Sequence, residues 1–205
     1  MRIKKAFTLA EVLITLMIIG VIAAITIPTL KKVSDDRVYI TSAQKSYAAL
    51  STAVKNIKRN EGPIKTWVAG YNQMGVLFEK EMNAKTNGEG YGEYEISTLA
   101  GANDTFLVDM ELLDGSMWCF ESDSRTCSLR AENLYSNACL LVKVDTNGKN
   151  DPNMVGLDVI GFYVKSDGTV LPYGAGVPIS NDTCKKDGTG WGCASKMITE
   201  GKISW

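Results

Sequence analysis

From Phe7 to Leu30 the chain runs for 24 residues with one ionisable side chain, Glu11. About 20 apolar residues cross a bilayer as a helix, so this run predicts a membrane-length helix. A second pattern takes over downstream. Ile40, Ala43, Tyr47, Leu50, Val54 and Ile57 recur at spacings of three and four, with Lys45, Lys55, Lys58 and Arg59 off the stripe. That is the signature of an amphipathic helix with one face on a core. Asn60-Glu61-Gly62-Pro63 joins a helix-terminating Gly to a Pro and predicts the end. One helix from Phe7 to about Asn60 would extend roughly 80 Å at 1.5 Å per residue. Such a length suits a rod embedded over one half and packed on a head over the other. Within it Pro28 removes a backbone hydrogen bond and predicts a kink or a locally unwound turn. Gly20 offers a weak point or a close-packing site between helices.

After Pro63 the periodicity becomes mixed. Met74, Leu77, Phe78 and Met82 predict a short helix within Tyr71–Lys85, and Asn87 to Gly92 reads as a loop. Strand-like runs follow at Thr105–Met110, Ser116–Glu121, Cys139–Asp145, Val159–Lys165 and Thr169–Pro172. Leu113-Asp114-Gly115 and Ser166-Asp167-Gly168 supply turns for two hairpins. A last helix is expected from about Cys193 to Glu200. The predicted class is α+β: a long N-terminal helix laid on a small antiparallel sheet.

Composition narrows the chemistry. The 205 residues carry a formal charge of −1, which gives no basic field for nucleic acid. There is no His, which removes His-based acid–base catalysis, Ser-His and Cys-His nucleophile pairs and imidazole metal sites. No nucleophile constellation stands out, and no catalytic residue is assigned. The carboxylate pairs Glu79/Glu81 and Asp109/Glu111 read as solvated surface. Trp67, Trp118, Trp191 and Trp205 are scattered, as packing residues are.

Glu11 is the feature that separates the readings of the opening segment. A carboxylate within a spanning helix costs about 2.5–3.5 kcal/mol on insertion scales, so it usually has a partner or a role. A cleaved secretory signal, with a small-residue site near Val21-Ile22-Ala23, leaves Glu11 unexplained, and so does a plain anchor. The stretch Lys5-Ala6-Phe7-Thr8-Leu9-Ala10-Glu11-Val12 behind the basic start Arg2, Lys4 and Lys5 resembles the cleavage and methylation motif of type IV prepilins and type II secretion pseudopilins. The resemblance implies a leader of residues 1–6, cleavage of the Ala6–Phe7 bond on the cytoplasmic side, and N-methylation of Phe7 by the same enzyme. Glu11 then falls at the fifth place after the cut, where the family carries an acid that compensates a neighbouring subunit's N-terminal amine. Pro28 falls where family helices often carry a proline that lets subunits slide into register. The family usually has Gly before the cut; Ala6 keeps the side chain small. Loss of the leader leaves 19 Lys plus Arg against 23 Asp plus Glu.

The implied organisation is a leader (1–6), a membrane and filament-core half-helix (7–30), an amphipathic half (31–60) and an α+β head (61–205). The implied function is that of a structural subunit in a type II secretion-like pseudopilus or a type IV pilus-like filament. Its partners would be copies of itself, other pilin-like subunits, the prepilin peptidase and methyltransferase, and an inner-membrane assembly platform. It would sit single-pass in a bacterial inner membrane with the head outside the cytoplasm. Direct nucleic-acid contact is not implied, though a competence pilin would serve DNA uptake. The reading that competes from another class is an anchored or secreted binding domain, for calcium or a glycan, that forms no filament.

Val144 to Pro172 widens the resemblance: an Asp-x-Asn-Gly turn, Pro-Asn, a Gly-x-Asp and an apolar hairpin recur in pseudopilin-like proteins. Asp145, Asn147, Asp151, Asn153 and Asp158 bring five oxygen-bearing side chains within 14 residues, a set that suits calcium, which takes six to eight oxygens. Major pseudopilins hold calcium in a C-terminal loop. The spacing is not that of an EF-hand, and Asp and Asn before Gly equally build ordinary turns. No cofactor is required by the filament reading, and calcium is the one candidate ligand. The five Cys include no CxxC pair, and behind a membrane segment they suit extracytoplasmic disulfides. Cys184 with Cys193, and Cys119 with Cys127, each bracket a short loop. Cys139 is an alternative partner for Cys119 or Cys127, and all five reduced is the remaining state.

Overall fold

The computed structural model describes residues 7–66, 71–85, 92–122, 127, 138–176 and 183–205. Helix α1 spans Leu9–Glu61 without interruption, and the chain divides into two compact units, through Val38 and from Tyr39 to Trp205.

In the first unit α1 is apolar on every side as far as Leu30, Glu11 apart, and becomes charged from Lys31 to Arg37. Leu13, Ile14, Met17, Ile18, Val21, Ile25 and Leu30 are all exposed, as expected of a segment meant for lipid or for other helices. The helix is long and apolar enough to cross a membrane. It remains helical through Pro28, with no unwound turn. The hydroxyls of Thr26 and Thr29 donate to the carbonyls of Ile22 (3.0 Å) and Ile25 (3.2 Å) on either side of the carbonyl of Ala24, which Pro28 deprives of a donor.

In the second unit the amphipathic stretch of α1 meets a sheet. A short 3₁₀ turn (Ile64–Thr66) and helix α2 (Tyr71–Glu81) lead to β1 (Glu93–Ser97) and β2 (Asn103–Leu107), which pair antiparallel. Next come β3 (Met110–Glu111), β4 (Met117–Ser122), β5 (Ala138–Asp145), β6 (Val159–Lys165) and β7 (Val170–Pro172), in one antiparallel sheet of that order. Helix α3 (Cys193–Glu200) follows and ends on left-handed Gly201.

The strand period of two decides what faces what. Trp118 and Phe120 on β4, Leu140, Val142 and Val144 on β5, and Ile160, Phe162 and Val164 on β6 bury toward Ala43, Leu50, Ala53, Val54 and Ile57 of α1. Cross-strand register lines them up in rows, Trp118 with Val144 and Ile160, Phe120 with Val142 and Phe162. Phe78 of α2 stacks on Phe120 at 4.5 Å. Each such fully buried side chain contributes about 1.5–3 kcal/mol. The alternate positions Cys119 and Val159 bury on the other face with Ile96, Phe106, Val108 and Val155, so that β1 and β2 cover that end of the sheet.

Several expectations are corrected. The strand read as Thr105–Met110 is two strands in different sheets, and its partner β1 was not legible. The change of sheet occurs at Asp109, whose carboxylate accepts the Phe120 N–H at 2.7 Å. Asp109 is therefore not solvated, and burial holds its pKa above the usual value. Its neighbour Glu111 pairs with Lys85. Helix α2 stops at Glu81 and not near Lys85. The Lys85 N–H donates to Glu111 O (2.8 Å) and Asn83 O accepts from Leu113 N (2.8 Å), so the chain leaves the helix to pair with the edge of the sheet. Trp118 is buried, donating from Nε1 to Ser116 Oγ at 3.0 Å, while Trp191 and Trp205 are half-buried; Trp67 and the loop from Asn87 to Tyr91 lie outside the described residues.

The disulfides are Cys127–Cys139 and Cys184–Cys193; Cys119 is a buried free thiol. The expected Cys119–Cys127 pair is thus corrected. Cys127 and Cys139 bury in the cluster facing α1, whereas Cys119, flanked by Trp118 and Phe120, points to the opposite face. Burial raises the Cys119 thiol pKa well above its ordinary value, which keeps it protonated and inert. For Cys184–Cys193, nine positions apart, replacing both by Ser is expected to cost about 2–3 kcal/mol. Denaturant unfolding of the variant beside the oxidised parent measures it.

Candidate functional site

Two places bear on function: the start of α1 and the loop joining β5 to β6.

At the start of α1, Phe7 is 86% exposed and Thr8 is the residue before the first helical turn. The Thr8 carbonyl accepts the Val12 N–H at 3.3 Å, the first bond of the helix. The Thr8 N–H and Oγ1–H both donate to Glu11 Oε2 at 2.8 Å, and the Glu11 N–H donates to Thr8 Oγ1 at 3.2 Å. This is a capping box, in which the N-cap hydroxyl and the third helical carboxylate satisfy each other's backbone donors. The Thr8-x-x-Glu11 spacing is that motif's signature in the sequence. The structure therefore gives Glu11 a partner within its own chain. Ala6, the other processing residue, lies outside the described residues.

The loop after β5 centres on two fully buried carboxylates, Asp145 and Asp158. Asp158 accepts the Met154 N–H (2.7 Å) on Oδ1 and the Asn153 N–H (2.9 Å) on Oδ2. Asp145 accepts the Asn147 N–H (3.2 Å) on Oδ1 and the Tyr94 hydroxyl (2.6 Å) on Oδ2. The Asn153 amide nitrogen, in the orientation its surroundings require, donates to Gly148 O (3.1 Å), Asn150 O (3.2 Å) and Asp145 Oδ2 (3.2 Å). Asn147 Nδ2 donates to the Asp151 carbonyl at 3.2 Å, while Asp151 itself is exposed. Of the five oxygen-bearing residues singled out above, Asp145, Asn147, Asn153 and Asp158 thus come together, and the Asp151 carboxylate stays outside.

Burial pushes the Asp145 pKa up to about 7, and the Asp158 charge adds to the rise. Asp158 is also raised, chiefly by burial. Tyr94 is held protonated by its own burial and by Asp145. It could not be foreseen, because nothing marked β1 as a strand. Among the described residues no group of three or more His, Cys, Asp or Glu side chains is placed to hold a metal ion.

A helix apolar all round at its start and amphipathic further on, followed by antiparallel sheets, is a pilin-like α+β architecture. Residues 1–27 match the family model described as the prokaryotic N-terminal methylation motif. The chain carries the prepilin-type cleavage and methylation motif of type IV pilins and pseudopilins. No curated protein and no solved structure matches it.

Proposed function

We infer that this chain is a structural filament subunit, of a type II secretion-like pseudopilus or a type IV pilus-like fibre, and not an enzyme. One coincidence carries the reading: the methylation motif over residues 1–27 lies on a helix whose apolar surface is exposed on every side. Such a surface is stable only in lipid or against other helices. A membrane-inserted precursor that later bundles satisfies both conditions in turn. On this reading the prepilin peptidase cuts Ala6–Phe7 and methylates Phe7, the precursor sits single-pass in the inner membrane with Tyr39–Trp205 outside the cytoplasm, and an assembly platform passes it to other pilin-like subunits. The Val144–Pro172 resemblance favours the secretion pseudopilus. Intact mass and N-terminal sequencing of the membrane-extracted protein are expected to show a chain beginning at N-methyl-Phe7. A chain beginning at Met1, or cut near Ala23, would sink the reading in favour of an anchored or secreted binding module.

The loop from Asp145 to Asp158 we take as a metal-independent clasp joining β1 to the main sheet. All four carboxylate oxygens already have protein donors, and the Asn153 amide lies among the remaining carbonyls. Calcium would have to displace those bonds. Melting in calcium and in chelator should give the same midpoint within about 1 °C, whereas saturating ligation would raise it by several degrees. That rise would make the loop a calcium site.

A further inference from the structure

We propose that the charged collar of α1, residues 31–37, sets the axial stagger between neighbouring copies of this chain, Lys31 and Lys32 of one copy meeting Asp35 and Asp36 of the next. The proposal rests on the filament reading above. It starts from the order of the charges: two cations follow Leu30, and two anions stand four residues further on. Residues four apart share a helix face, so this face carries two cations and then two anions, about 6 Å apart along the axis. Arg37, roughly 200° round the helix from Asp35, is left off it. Such pairs can close within one chain, but with the cation on the N-terminal side the order is the weaker one. Neither is closed in the structure, where the ion pairs of the described residues join other side chains. Lys31, Lys32 and Asp35 are exposed, and Asp36 is half-buried.

What surrounds the collar decides what those charges meet. Helix α1 is continuous through residues 31–37. Wherever the apolar run ending at Leu30 packs on other copies, their collars therefore lie beside this one, at the roughly 8–10 Å spacing of packed helices. Exposed Val33 and Val38 carry the apolar surface on through this level. Charges that lose water between packed helices need partners. Two parallel copies in register would set Lys against Lys and Asp against Asp. Sliding one copy by four residues, about one turn, brings the cations of one level with the anions of the other. The charge order thus selects a staggered neighbour and rejects an aligned one. A stagger repeated in the same sense does not close on itself, and an open helical assembly follows.

The test reverses the charges in the full chain, in cells carrying the cognate assembly system. One variant combines Lys31→Asp with Lys32→Asp, the other Asp35→Lys with Asp36→Lys. Each should be processed at its N-terminus as the parent is, yet yield at least tenfold less sheared filament, because like charges then meet at every step. Co-expressing the two should restore the yield to within threefold, with both chains in the filament, since the cations of one now meet the anions of the other. The four-site chain carrying both reversals should assemble alone. In parental filaments a carbodiimide should join Lys31 or Lys32 to Asp35 or Asp36 across two copies, giving a covalent dimer. Parental yield from either variant alone, or no dimer through these residues, would overturn the proposal. Rescue in the four-site chain without rescue by co-expression would place the pairing inside one chain and overturn it too. Loss confined to the Lys reversal would assign the collar to phospholipid headgroups instead. Failure of both rescues beside normal parental filaments removes the pairing and leaves the filament reading standing. If the parent itself forms no filament, that reading falls and the pairing falls with it.

Discussion

Raising the pH from about 4 to about 7 is expected to destabilise the unit formed by Tyr39–Trp205, opposite to the usual behaviour of an ion-paired carboxylate. Asp145 has a folded pKa raised from 3.8 to about 7, mainly because it is buried. Between those values the folded state keeps a proton that the unfolded chain releases. Unfolding then releases protons, and its free energy falls as pH rises. The contribution is fully present below about pH 4 and gone above about pH 7. Its upper bound is about 4 kcal/mol at 1.36 kcal/mol per pKa unit. Asp158 and Asp109 are raised by burial too and add slope of the same sign. Denaturant midpoints of the mature protein at several pH values between about 4.5 and 7.5 measure it. Asp145→Asn should remove the largest part of the slope. It should also be the less stable protein at the acidic end, because its NH₂ would face the donors that now serve Asp145. An unchanged slope in Asp145→Asn would show that the titration resides elsewhere.

Replacing Gly190 by Ala is expected to cost about 3–5 kcal/mol, the range of the most damaging single substitutions. Gly190 has φ +90° and lies against the Val155 carbonyl, which an added Cβ would overlap, with Leu99 Cγ at 3.1 Å. Neither the carbonyl nor the disulfide-closed turn around Gly190 can withdraw cheaply. Two neighbours show the same construction: a Cβ on Gly156 would meet Gly190 O at 3.0 Å, and one on Gly174 would meet Gly192 Cα at 3.0 Å. The loop between Cys184 and Cys193 is therefore docked backbone against backbone on the segments 155–156 and 174, which only glycine permits. Gly176→Ala serves as the control. It also has positive φ, +74°, but nothing within 4 Å, so only the left-handed penalty of about 1–2 kcal/mol remains. Equal denaturant midpoints for the two variants would refute the packing argument.

The contrast between these glycines shows where sequence reading stopped. Lys185 to Gly192 reads only as a short stapled loop, since Gly-rich composition does not distinguish freedom from close approach. Cys119 gives the same lesson. Its nearness in sequence to Cys127 suggested a staple, and strand alternation turned it to the other face of the sheet. Tyr94 and β1 carried too little apolar alternation to be seen, yet Tyr94 is the donor that closes the Asp145 site.

Local rules were enough for the rest. Period 3.6 in residues 40–57, unbroken apolarity in 7–30, and period two in β4, β5 and β6 are imposed by backbone geometry and by the cost of wetting apolar surface. They determine the long helix, the antiparallel sheet and which face of each meets the core. The processing motif and the Thr8–Glu11 box are equally local, lying within a few residues of one another. Only the tertiary structure decided which Cys pair, which glycines are pressed against carbonyls and which acids lose their water. Those outcomes depend on contacts between residues far apart in sequence, and burial sets the cost of a charge or a methyl group only once those contacts exist.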